Sequence, residues 1–231
     1  MDKAEFDQFA DEYHALHAAN IAVSGEGPEY FADYKIKDLA AEYRARGGND
    51  TPAILDFGAG VGTSVPFVRK YLPRAKLTCL DVSTRSLEVA EGRFPGQATF
   101  LAFDGKQIPA PSASFDIALA ACVFHHIEHA EHVALLKEIH RVLTPRGIAL
   151  VFEHNPYNPL TVRAVNTCPF DENARLITAG AMRRRFVEAG FGATRIRYRI
   201  FFPHALSALR PLERWMTGLP LGAQYYALGM K

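Results

Sequence analysis

The stretch ILDFGAGVGTS, Ile54 to Ser64, constrains the fold more than any other part of the chain. A hydrophobic run ends in Asp56, glycines follow at 58, 60 and 62, and a helical pattern starts directly afterwards. Glycine enters left-handed backbone without a Cβ penalty, so this spacing lets the chain turn from strand to helix while a ligand approaches the backbone closely. A tight turn alone also accounts for such a loop, and what lies around it decides between the two.

Short apolar runs alternate with helical patterns on its C-terminal side. Strands are predicted at Ala53–Phe57, Leu77–Asp81, Ala98–Phe103, Phe115–Ala121 and Ile148–Glu153, with helices at Gly62–Tyr71, Thr84–Gly92 and His129–Leu143. This is the rhythm of a parallel sheet. Upstream, Phe6, Phe9, Tyr13 and Leu16 recur at helical spacing, and a second helix is predicted from Glu29 to Arg46. Downstream, His154–Ile177 reads as a long irregular connection of the kind that forms lids. A helix (Ala179–Ala189), a strand near Thr194–Phe202, a Pro-broken helix (Leu206–Met216) and a last strand (Gln224–Met230) complete the chain.

A chain of 231 residues suits one α/β domain. Its expected parts are a helical cover over residues 1–50, a ligand-binding core over 51–153, and a lid with the C-terminal strands over 154–231. A composition of 22% charged residues with a net charge of +1 excludes a disordered or nucleic-acid-coating protein. The charge is uneven, however. Residues 1–150 carry 15 Lys and Arg against 20 Asp and Glu, and residues 151–231 carry 11 against 5. That basic third suits an anionic partner or an acidic membrane surface, or a solvated face. Cys79, Cys122 and Cys168 lack metal-ligand spacing, so neither disulfides nor a metal site is expected. The acidic N-terminus has no signal-peptide core, which makes the cytoplasm the expected compartment.

Two further acids end strands. Asp81, followed by Val82, closes the second, where a carboxylate accepts hydrogen bonds from a ribose diol. Asp104, flanked by Phe103 and Gly105, closes the third, in position to accept from an adenine amino group.

The order D-x-G-x-G-x-G, D-V-S, F-D-G, S-F-D-I and R-V-L-T-P-R-G, across about residues 50–155, resembles that of class I S-adenosylmethionine-dependent methyltransferases. The resemblance implies a doubly wound α/β, Rossmann-like domain with a seven-stranded, mostly parallel sheet ordered 3-2-1-4-5-7-6, the last strand antiparallel. It implies S-adenosyl-L-methionine as cofactor, bound by Asp56, Gly58, Gly60, Gly62, Asp81, Val82, Phe103, Asp104, Gly105 and Cys122. The N-terminal FDQFADEYHAL is similar to a cover helix of small-molecule methyltransferases, which adds Tyr13 to the cofactor site, and Lys35 is a weaker candidate for the cofactor carboxylate or Asp56. A nicotinamide dehydrogenase fits less well, because its G-x-G-x-x-G fingerprint would place a glycine at Thr63. Asn155-Pro156-Tyr157 faintly resembles a DNA-adenine methylase signature but follows the fifth strand, not the fourth, and no nucleic-acid partner is expected.

In doubly wound sheets ligands bind beyond the carboxyl ends of the strands, so the acceptor is expected near His125, His126, Glu153, His154, Asn155 and Tyr157. His125, His126 and His154 are the candidate proton acceptors. Arg163, Arg175 and Asp171 are candidates to clamp an anionic acceptor. The expected reaction is methyl transfer, with oxygen the favoured atom, to a small-molecule, glycan or lipid-linked acceptor. Peripheral membrane contact through the basic third is a further expectation. A cofactor-binding sensor without turnover is the alternative.

Overall fold

The computed structural model describes residues 18–21 and 24–231, apart from the Phe170 side chain. The predicted first helix, and Tyr13 with it, lies outside the described residues. After a helical turn at 18–21, α1 spans Pro28–Arg44. Proline in its first turn has the φ a helix start needs, and Glu29 there and Arg44 in the last turn complement the helix dipole.

The core then runs β1 (Ala53–Phe57), α2 (Val65–Tyr71), β2 (Lys76–Asp81), α3 (Thr84–Arg93), β3 (Thr99–Ala102), β4 (Phe115–Ala121), α4 (His132–Val142) and β5 (Leu143–His154). It is followed by α5 (Pro159–Asn166), α6 (Ala179–Glu188), β6 (Thr194–Arg199), α7 (Glu213–Met216) and β7 (Gln224–Met230). The sheet order is β3-β2-β1-β4-β5-β7-β6, as expected. Strands β1 to β5 pair in parallel, and β7 is antiparallel to both β5 and β6.

Both faces of the sheet are covered, which is why β1, β4 and β5 read as nearly continuous apolar runs. On one face Ile36, Leu39, Val65 and Val68 of α1 and α2 pack with Ile54, Leu119 and Phe152. On the other, Leu136, Ile139, Met182 and Phe186 of α4 and α6 pack with Leu55, Phe57 and Val151. Asp56 is level with Cys79 and Leu119 across the strands, Asp81 with Ala102, and Ala121 with Phe152, so the strand-ending acids and the residues after β4 and β5 share one edge.

Four elements differ from the sequence expectation. The supposed irregular connection contains α5, started by Pro159 and capped by the Asn158 side chain, which accepts from the Thr161 N–H. Strand β5 begins at Leu143 with no gap after α4, five residues before Ile148. Strand β6 stops at Arg199, because Ile200 adopts left-handed backbone (φ 61°) and breaks the extended run. The predicted helix over Leu206–Met216 is a 3-10 stretch, His204–Leu212, followed by the single turn of α7.

The charge asymmetry is partly neutralised within the fold. Arg199 Nε lies 2.6 Å from Asp38 of α1, Arg195 lies 3.8 Å from Glu42, and Arg210 lies 2.6 Å from Glu26. Arg195 and Arg199 of the basic C-terminal third thus meet acids of α1, and Arg210 meets one just before it.

Candidate active site

The glycine loop leaves β1 along a path that side chains would block. Gly58 (φ 74°) donates its N–H to Leu80 O, and a Cβ there would sit 2.6 Å from Val123 Cγ1. Among the described residues nothing lies within 4 Å of the Cβ position of Gly60 (φ 51°), so a ligand can meet bare backbone there. Gly62 (φ 74°) closes the turn against Ala90. Asp56 is buried beneath the loop and accepts from the Ser64 hydroxyl. Burial, with Asp81 nearby, pushes its carboxyl up to about 6 against the Ser64 hydrogen bond and Lys35.

Asp81 accepts from Gly60 N–H at 2.8 Å through Oδ2 and from Ser83 N–H at 2.9 Å through Oδ1. Asp104 is exposed, and one of its oxygens accepts from Lys106 N–H and Gln107 N–H, which lower its pKa. Phe103 is half-buried and meets Phe57 edge-on at 5.4 Å, while Val82 is buried with its Cγ1 3.5 Å from the Cβ position of Gly105. The structure therefore sets Asp56, Asp81 and Asp104 along the carboxyl ends of three adjacent strands.

Cys122, directly after β4, is in left-handed backbone (φ 61°), which costs a non-glycine residue roughly 1–2 kcal/mol. Strain of this kind is held by its surroundings and clusters at functional sites. Lys35 Nζ of α1 donates to Cys122 Sγ at 3.1 Å, and Gln224 Nε2 approaches it at 3.7 Å. Tyr34 O–H donates to Gln224 Oε1, which orients that amide so that its nitrogen also faces His154 Nδ1 at 3.4 Å. Although burial works to raise the thiol, Lys35 and His154 bring Cys122 down to about 6.

The turn after β4, Phe124–His126, carries the two adjacent histidines, their ring centroids 4.1 Å apart. Glu153 of β5 is fully buried and accepts from Phe124 N–H at 2.8 Å, with its other oxygen 2.6 Å from His125 Nδ1. Asp171 completes the group, 3.5 Å from His125 Nε2 and 3.3 Å from His126 Nε2. Burial acts to lower His125, but Glu153 and Asp171 on its two nitrogens push it up to about 10. His126 goes the other way, lowered to about 3 by burial and by the charge on His125. Asp171 is held down at about 2, the imidazoles outweighing its burial.

These groups wall one cavity of about 240 Å³ beyond β4 and β5, lined by Lys35, Cys122, His125, His126, His154, Asp171 and Gln224 among apolar residues of α5 and the chain after β6. Other predicted residues stay out of it. Asn155 is buried and ties down the chain before β7 by donating to Pro220 O and Gly222 O. Tyr157 points to solvent, 64% exposed. Arg163 is exposed, and Arg175 pairs with Glu128 at 2.6 Å, so of the supposed clamp only Asp171 reaches the cavity. Gln224 was missed, because a lone glutamine at the start of the last strand carries no local pattern that marks it as lining the cavity.

The family described as a methyltransferase domain matches residues 54–147. Trans-aconitate 2-methyltransferase of Methylobacterium nodulans is 31% identical over 204 residues, covering 83% of this chain and 76% of that protein. The mitochondrial 2-methoxy-6-polyprenyl-1,4-benzoquinol methylase of Caenorhabditis elegans is 25% identical, over 68% of this chain and 56% of its own length. Among solved structures, a Thermotoga maritima methyltransferase described as a possible histamine N-methyltransferase superposes with a TM-score of 0.70 at 19% identity over 99% of both chains. Phosphoethanolamine N-methyltransferase 2 of Haemonchus contortus, in complex with S-adenosyl-L-methionine, gives a TM-score of 0.66 at 15% identity, over 98% of this chain and 60% of that one. Both share the fold. With the trans-aconitate enzyme matched over most of its length, the chain belongs to the class I S-adenosylmethionine-dependent methyltransferases, and S-adenosyl-L-methionine is its methyl donor.

Proposed function

We propose that the chain transfers the donor's methyl group to an oxygen of a small organic acceptor held in the cavity beyond β4 and β5. The observation that carries this reading is the junction at Cys122. The residues assigned to the donor line the ends of β1 to β3, and the cavity begins at Ala121 and Cys122, next along the same edge. In this reading Asp56 and the glycine loop hold the methionine part of the donor, Asp81 its ribose, and Asp104 with Phe103 its adenine. Direct displacement needs the acceptor atom held in line with the sulfonium, which positioning by a walled cavity supplies. His126 and His154 are the groups available to take an acceptor's proton, since His125 already holds one between two carboxylates. The relatives named for trans-aconitate and for a quinol support a small organic acceptor.

The test is a screen of small hydroxyl- and carboxyl-bearing compounds with isotopically labelled donor, the product identified by mass spectrometry. An oxygen-methylated product supports the proposal. Label on nitrogen or carbon overturns the choice of oxygen, and tight donor binding with no transfer to any compound favours a sensor without turnover.

A lipid-linked acceptor is a second reading, favoured by one observation. Leu160, in the cavity wall, is 60% exposed, and Asn158 beside it donates to Leu221 O on a loop that also exposes Leu219. Leu206, Leu209, Leu212 and Trp215 add exposed apolar side chains in the preceding segment. Cosedimentation with neutral and acidic vesicles tests it. Recovery in the pellet supports peripheral membrane contact, and recovery in the supernatant with both removes it.

A further inference from the structure

The geometry points to a divalent transition-metal site in the wall of the acceptor cavity, made by His125 Nε2, His126 Nε2 and Asp171 Oδ1. The inference rests on the reading of that cavity as the acceptor's. Cysteine spacing gives no hint of such a site, and two adjacent histidines are not a ligand pattern on a regular helix or strand. Here the tight turn Phe124–His126 brings both rings to one side, and Asp171, at the end of the short turn Pro169–Asp171, closes the set from 45 residues further along.

The distances suit an ion. Asp171 Oδ1 is 3.5 Å from one imidazole nitrogen and 3.3 Å from the other, and the three ligand atoms all lie within 4.8 Å of one another. With bonds of about 2.1 Å, neighbouring ligands stand roughly 3.0 Å apart at right angles and roughly 3.4 Å apart in a tetrahedron. Two edges already match that spacing.

The surroundings suit one too. A metal-bound histidine commonly donates its other ring N–H to a carboxylate, which fixes the ring and makes it a better donor. His125 has this partner in Glu153 at 2.6 Å, itself held by Phe124 N–H. Glu153 and Asp171 also bring two buried carboxylates to one pair of imidazoles, a negative setting that a cation offsets.

Donor chemistry narrows the metal and its ligand. Two imidazoles and one carboxylate favour zinc, iron, cobalt or nickel over magnesium or calcium. Three protein ligands direct the rest of the coordination shell into the cavity, where Lys35 and His154 also face. An acceptor presenting two neighbouring oxygens, such as a hydroxy acid, completes the shell. With the ion bound His126 is a ligand, so proton acceptance falls to His154.

The test titrates the chelator-treated full chain with Co²⁺, followed by visible absorption, and with Zn²⁺, followed by calorimetry, in the wild type, His126→Gln, Asp171→Asn and Glu153→Gln. One ion per chain is expected, bound at least about 100-fold more weakly in His126→Gln and Asp171→Asn and about 10- to 100-fold more weakly in Glu153→Gln. Donor affinity, measured in parallel, is expected to persist and reports that each variant is folded. Absence of binding by the wild type, or equal affinity in the folded His126→Gln and Asp171→Asn variants, overturns the site. Metal bound as described with no methylated acceptor found leaves the site standing and counts against methyl transfer. Transfer by a chain that binds no metal does the reverse.

Discussion

Lys35 Nζ lies 3.1 Å from Cys122 Sγ, joining the first described long helix to the end of β4 across 87 positions of the chain. An ammonium at that distance stabilises a thiolate, and with His154 it brings Cys122 to about 6. Cys122 is partly exposed at the cavity wall, whereas Cys79 and Cys168 are buried, so alkylation reports on Cys122. Its rate is expected to rise with a midpoint near pH 6 and to level off above about pH 7.5, as the thiolate becomes complete. Lys35→Met is expected to move the midpoint above about pH 8, towards and past the ordinary thiol value. A wild-type midpoint at the ordinary value would contradict the pairing.

Asp56 is ionised at a cost in the donor-free protein. Its carboxyl is raised to about 6 from the usual 3.8, so its favourable contribution is complete below about pH 4 and is lost as pH rises through 6. Asp56→Asn removes the charge and keeps an acceptor for the Ser64 hydroxyl. The variant is expected to gain stability at pH 8, by up to about 3 kcal/mol, and to lose that advantage below about pH 4. Donor binding is expected to weaken. Thermal unfolding across pH with and without the donor checks both, and a variant less stable than wild type at pH 8 would contradict the account.

Glu153 is fully buried with two partners, His125 Nδ1 and Phe124 N–H. Replacing it by alanine strands the imidazole and that N–H together. Glu153→Ala is expected to lose about 3–5 kcal/mol in urea unfolding, the scale for breaking a buried ion pair from one side. A loss below about 1 kcal/mol would show that the pair holds little of the fold.

The strands of the core and the acids at their ends were legible in the sequence because each is a local pattern: an apolar run, an acid, then glycine or a helix cap. Helix α5 was not, because its starting proline and polar surface look like loop composition until the Asn158 cap is seen. The acceptor side was half legible. The histidines and Glu153 follow their strands directly, but the partners that set their charge are distant, as Asp171 is from His125 and Gln224 from Tyr34. The basic C-terminal third was only partly legible for the same reason, since Asp38 and Glu42, which meet Arg199 and Arg195, lie more than 150 residues earlier.

The residue-level assignment of the donor site is tested most directly by calorimetric titration of S-adenosyl-L-methionine into the wild type and Asp81→Ala. Asp81 braces the glycine loop through Gly60 N–H, and the proposed donor site has its carboxylate accept from the ribose hydroxyls. A folded Asp81→Ala chain is expected to bind the donor more weakly by roughly 1–3 kcal/mol, or about 5- to 150-fold, through lost hydrogen bonds to a charged group. Unchanged affinity in the folded variant, or tighter binding of a nicotinamide dinucleotide than of the methyl donor by the wild type, would contradict it.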